Sequence, residues 1–156
     1  MSATTPTHPA APLPAAPLPA AWAVQLALYG ALEAAPGLAG VSLHDDVPAD
    51  PAFPCLTIGE ARCADYPGVP GAREHEVRIH AYSRWGGRAE LKRVEGAVRD
   101  ALHDADLVLV DHRLAQCRHV FSDVIRRPDQ DTYHAVMRFR LVTEPLPEPA
   151  AEGATA

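Results

Sequence analysis

Eight histidines, three cysteines and a cluster of arginines are the side chains here with the most chemistry to offer. Zinc sites draw His and Cys ligands from tight spacings, two to five residues apart. Cys55, Cys63 and Cys117 form no such pair, and three thiols cannot all pair with one another. His75 and His80 lie five apart on an alternating pattern, so they face opposite ways. His112 and His119 are seven apart and also alternate if they share a strand. His44-Asp45-Asp46 is the best cluster, but it is a loop HDD without a partner motif. The expectation is therefore no metal, with the histidines on surfaces and interfaces.

Nucleophilic chemistry is no better supplied. The chain has no G-x-S-x-G and no local cysteine signature. Cys117 on an alternating strand reads as a small buried hydrophobe. GVPG and RWGG lack phosphate-loop spacing and the GK[ST] that would follow it. Glu74 and Glu76 share a strand face, but a carboxylate pair needs neighbours that the sequence does not name. No catalytic residue and no cofactor are expected.

The arginines are the remaining signal. Residues 113–140 hold six of them, at 113, 118, 126, 127, 138 and 140, against Asp123, Asp129 and Asp131. The whole chain is the opposite, with net charge −6 and only one lysine, Lys92. An acidic chain is a poor partner for nucleic acid or an anionic membrane. In SDVIRRPDQDTYHAVMRFRLVTE, residues 122–144, the second half alternates cleanly. Tyr133, Ala135, Met137, Phe139 and Leu141 point one way; His134, Val136, Arg138, Arg140 and Val142 point the other. The first face suits a core. The second, basic and interrupted by valines, suits a protein interface, where arginine is enriched. A solvated outer face is the plainer alternative, and arginine beside abundant alanine and proline also fits a GC-rich coding bias.

These residues need elements to position them. The 156 residues suffice for one domain with a modest core. Residues 1–20 carry an Ala/Pro repeat, PAAPLPAAPLPAA, with little bulk to bury, and residues 146–156 read the same way. Both are expected to be disordered, leaving one domain at 21–145. A helix is predicted at 21–35, with Trp22, Leu26, Tyr29 and Leu32 near one face and a stop at Pro36-Gly37. Strands are predicted at 41–44 (VSLH), 55–60 (CLTIGE) and 74–83 (EHEVRIHAYS). Proline-punctuated loops fill 45–54 and 61–73. A second helix at 88–103 shows Leu91, Val94, Val98 and Leu102 on one stripe. LVLV at 107–110 is a short strand or an extended link, and a hairpin at about 114–127 and 131–144 closes the chain. The order fits an α+β domain: a mostly antiparallel sheet, two helices packed on one face, and a long C-terminal β-hairpin. No lysine or arginine precedes the first apolar run, so a signal peptide is not expected. Free thiols fit synthesis in a reducing cytoplasm.

The ordered features resemble a family. A short helix is followed by Asp46-Val47-Pro48, Phe53-Pro54 and Ile58-Gly59 in DDVPADPAFPCLTIGE, then EHEVRIHAYSRWGG, a helix beginning RAELKRVEGAVRDAL, and a strand pair ending MRFRLVTE. Residues 21–144 thereby look like the tail terminator, or tail completion, proteins of long-tailed phages and gene transfer agents. The resemblance implies a virion structural protein, not an enzyme. Such subunits form a hexameric ring on the head-proximal end of the tail tube, stop its polymerisation and meet the head connector, with DNA passing through. The implied partners are further copies of the chain, the major tube protein and the connector or stopper. The interface candidates are Arg118, Arg126, Arg127, Arg138 and Arg140, joined by Arg84 and Trp85 of the RWGG turn. Another neck or tail component, or a small-ligand or enzymatic module, are the competing readings.

Overall fold

The computed structural model describes residues 16–147. Alanines and leucines, with no proline and a single interior glycine at Gly30, form helix α1 (Ala20–Ala34). Pro36 cannot continue it, and the chain tightens into a 3-10 turn, Pro36–Leu38. Gly37 sits at the corner where this turn meets the second helix, and a Cβ there would come 3.1 Å from the Cβ of Ala97. A three-residue strand β1 (Ser42–His44) follows, then β2 (Cys55–Asp65), β3 (Arg73–Ser83), helix α2 (Ala89–Leu102), β4 (His112–Arg126) and β5 (Tyr133–Pro145). The sheet order is β1-β2-β3-β5-β4. β1 pairs parallel to β2, and every other pairing is antiparallel. This is the α+β architecture expected.

The core lies between the helices and one sheet face. Val77 is opposite Phe139 and Ile79 opposite Met137, with Leu141 beyond, so the two central strands present one apolar surface. Leu91, Val94, Val98 and Leu102 of α2 join it, all fully buried. The core expected from the second strand of the hairpin and from α2 is the observed one.

The first helix departs from expectation. Its buried side is Ala23, Val24, Leu28 and Leu32, while Trp22 and Leu26 stay 49% and 44% exposed. The helix is apolar nearly all round, so periodicity alone does not single out a face. Small Ala23 gives the closer approach. Leu18, just before it, packs against the core. Its N–H donates to Asp111 Oδ2 at 2.7 Å, and its carbonyl accepts from His112 Nε2 at 2.6 Å. Residues 1–15 and 148–156, the bulk of the expected arm and tail, lie outside the described residues.

Three further differences concern the strands. β2 runs to Asp65, so the loop predicted at 61–73 shrinks to 66–72. Pairing with β3 overrides the weak strand propensity of Ala61 to Asp65. LVLV is an extended link, not a strand. β4 carries two irregularities, between Leu114 and Gln116 and between His119 and Phe121. The first slips the alternation by one residue. His112, opposite Pro145, and His119, opposite Phe139, therefore share the helix-facing side instead of alternating. His75 and His80 do face opposite ways: His75 is buried against Thr143, His80 lies on the helix-free face.

Candidate interface site

The interface candidates fall into two groups separated along the length of the sheet. The first is at the end of the sheet where the β4–β5 turn meets the corner between β3 and α2, called here the tip. Asp129 builds the turn. Its carboxylate accepts from the backbone N–H of Asp131 and of Thr132 at 3.1 and 3.0 Å and from Thr132 Oγ1 at 2.9 Å. Those bonds, from Thr132 first, hold its pKa below the usual carboxylate value. Gln130 takes the left-handed conformation with φ 62°. The buried Thr132 hydroxyl also accepts from Arg84 Nε at 3.1 Å, which ties the turn to the end of β3. On the other side of that corner, Ser83 Oγ donates to Glu90 Oε1 at 2.7 Å and fixes the start of α2.

Four guanidinium groups stack on three rings here. Arg84 lies 4.3 Å from the Phe53 centroid and Arg127 5.8 Å from Tyr82. Arg88 and Arg126 lie 5.3 and 5.7 Å from Tyr133. Stacking leaves the guanidinium edges for acceptors, and Arg84 Nε and Arg126 Nε donate to Thr132 Oγ1 and the Gln130 carbonyl. Trp85 stands beside them, 67% exposed. A cleft of about 360 Å³ opens on the helix-free side, walled by Val47, Pro48, Pro51, Phe53 and Tyr82 and charged by Arg84, Arg127 and Asp129. Arg84, Trp85, Arg126 and Arg127, scattered in sequence, are thus neighbours. They do not share one face, because Arg126 sits opposite Tyr133 on the helix-facing side.

The second group is occupied within the subunit. Arg140 bonds Glu74 at 2.6 Å and Gln116 at 3.2 Å. Arg138 is 3.7 Å from Glu76 and 5.2 Å from the Phe121 centroid. Glu74 and Glu76, whose neighbours the sequence left unnamed, are the acids that neutralise the second strand of the hairpin. Arg118 is 3.9 Å from Asp104 at the exposed β4 edge. The hairpin face read as basic is a grid of ion pairs over its middle and is cationic only toward the tip.

Between the groups lies a chain the sequence reading missed. Glu60 Oε2 accepts from His80 Nε2 at 2.9 Å, and His80 Nδ1 meets His134 Nε2 at 2.8 Å. Tyr82 stacks on His134 with centroids 4.5 Å apart. Burial, then His80 and Arg127, pushes His134 down to about 4, so it is neutral at pH 7. Gly59 makes room, since a Cβ there would lie 2.5 Å from the His80 ring. Both histidines stand on polar sides of alternating strands, but only the register brings them together. Burial pushes the Cys117 thiol up to about 12, which leaves it un-ionised and unreactive. Among the described residues no three His, Cys, Asp or Glu side chains converge to hold a metal ion, and no helix is long and apolar enough to cross a membrane.

No curated protein matches the chain significantly. A chain from the virion of a native gene transfer agent (GTA) particle superimposes with a TM-score of 0.72 at 31% identity, over 80% of this chain and 96% of that one. The family model of tail completion protein gp17 matches residues 26–144, from within α1 to the end of β5, and so takes in every strand and both groups of arginines. The chain belongs to the tail completion protein gp17 family, structural proteins of the phage-type tail.

Proposed function

We infer that the chain is a tail terminator. Copies of it close the head-proximal end of a finished tail tube as a hexameric ring, stop tube growth and present a surface to the head connector. DNA passes through the ring, and no catalysis is involved. The observation that carries this reading is the family match over nearly the whole described domain, to a family named for completing the tail. The likeness to a gene transfer agent virion chain supports a place in such a particle. A net charge of −6 fits a channel that lets a polyanion slide past without gripping it.

The tip arginines are the proposed contact with a neighbouring subunit or the tube. Arginine paired with acids across an interface is a frequent hot spot. Charge reversal at Arg126 and Arg127 together is expected to give particles with overlong tails or tails unattached to heads. Electron microscopy of a complemented lysate reads both. Normal tail length and normal joining would remove these two arginines from the interface.

A further inference from the structure

We propose that the cleft at the hairpin tip is the receptor for the C-terminal segment, residues 148–156, of a second copy of this chain. The inference rests on the ring reading above and names what holds adjacent copies together.

The cleft has the walls of a proline-segment groove. Phe53 and Tyr82 supply the rings, Val47, Pro48 and Pro51 the apolar rim, and its volume is about 360 Å³. Extended proline-containing segments dock on aromatic walls of this kind at low ordering cost, because proline already fixes φ. Two guanidiniums face one carboxylate, and that carboxylate, Asp129, is committed to Thr132 and Asp131. The cleft is therefore selective for acid among proline-rich segments. The chain has two proline-rich ends. Residues 1–15 contain no acidic residue, whereas Pro145-Leu-Pro-Glu-Pro-Ala-Ala-Glu places Glu148 and Glu152 among three prolines.

Chain length decides which copy supplies the segment. β5 has 13 residues between the tip and the opposite end of the sheet, where Pro145 lies. At about 3.3 Å per residue that is roughly 40 Å. Glu148 and Glu152 are three and seven residues past Pro145, so neither gets farther from it than about 11 and 25 Å. Neither reaches the cleft of its own subunit. A second copy with its tip near the first copy's Pro145 end receives both. That contact joins two different surfaces, which is the kind that closes a ring.

The test is a fluorescence-anisotropy titration of a labelled peptide, PLPEPAAEGATA, with the full-length protein. Saturable binding is expected. Glu148→Gln with Glu152→Gln in the peptide should weaken it about tenfold or more, and so should Arg84→Gln with Arg127→Gln in the protein. A peptide of residues 1–15 should not bind. The peptide changes cannot disturb the fold, so they decide the matter even if the arginine variant misfolds. No saturable binding, or equal binding by the glutamine peptide or by residues 1–15, overturns the proposal. Loss of head joining in the arginine variant without any peptide binding also overturns it, and gives the cleft to an acidic segment of another protein. The ring reading stands or falls separately, on tail length.

Discussion

Phe139 shows how much a single residue carries. It is fully buried, opposite Val77 on β3, with the His119 ring edge-on at 5.4 Å. Phe139→Ala leaves a cavity between the sheet and α2, and urea unfolding should show a loss of about 3–5 kcal/mol. His75 carries a pH dependence. It is buried beside Thr143, and burial, then His112 and Arg73, lowers its pKa to about 4. A folded pKa below the unfolded one, about 6.5, means that the unfolded chain binds more protons between those values. Stability is therefore full above about pH 6.5 and is lost as pH falls toward 4, by roughly 3 kcal/mol for a shift of this size. His134 acts in the same direction. Carboxylates such as Glu74 enter only below their ordinary value of 4.5. The melting temperature should fall between pH 6.5 and 4.5, and His75→Gln should flatten that fall. An unchanged slope would clear His75 of the effect.

At the scale of elements, the long hairpin is a strong unit because β5 is central. It pairs with β3 and β4 on its two sides over nearly its whole length. β4, at the edge, carries two of the sheet's three irregularities, which blunts it against unwanted strand pairing. The segment before α1 divides at Leu18. Deleting residues 1–15 should leave the melting temperature within about a few degrees, since the packing of Leu18 survives. Extending the deletion through Pro19 removes Leu18 and its two hydrogen bonds to Asp111 and His112, and should lower it clearly. Equal melting of the two deletions would show that Leu18 contributes nothing. β5 and α2 were legible because their apolar residues recur at strict spacings of two, and of three and four. The second half of β2 was not, because Ala61 to Asp65 become a strand only when β3 supplies the hydrogen bonds.

Across the whole molecule the charges are sorted. Arg84, Arg88, Arg126 and Arg127 gather at the tip. At the opposite end, where Leu18, His112 and Pro145 meet, the charges are paired instead: Arg113 bonds Glu144, Arg73 is 3.2 Å from Asp65, and Asp111 accepts from the Leu18 N–H. A subunit with unlike ends is suited to contacts in which one surface meets a different one. The particle-level prediction follows from this sorting. Among the described residues, the side chains of Arg126 and Arg127 meet the Gln130 carbonyl and the rings of Tyr133 and Tyr82, and no carboxylate. Reversing their charge should leave the circular dichroism spectrum and melting curve of the isolated protein close to wild type. The defect should appear in the tails. A misfolded double variant would make a tail phenotype uninformative about the interface.

The sequence by itself determined the fold class and the core faces of β5 and α2, and it carries no recognisable catalytic motif. Alternation in residues 133–142 and the stripe Leu91, Val94, Val98 and Leu102 are local periodicities, and burial of an apolar face follows from them directly. The ordered elements also sufficed to point to the family. Only the tertiary structure decided which arginines meet a carboxylate among the described residues. Arg138 and Arg140 look the same in sequence as Arg126 and Arg127, yet strand register gives the first two Glu76 and Glu74, while the turn leaves the others at the tip. The same register brings Glu60, His80 and His134 into one chain and gathers Arg84 with Arg127 across a cleft. Pairing between distant strands depends on bulges at Gly59-Glu60, Ala115 and Val120, and each bulge shifts a face by one residue. Local pattern carries no record of those shifts, so which charges are neutralised is settled by the sheet.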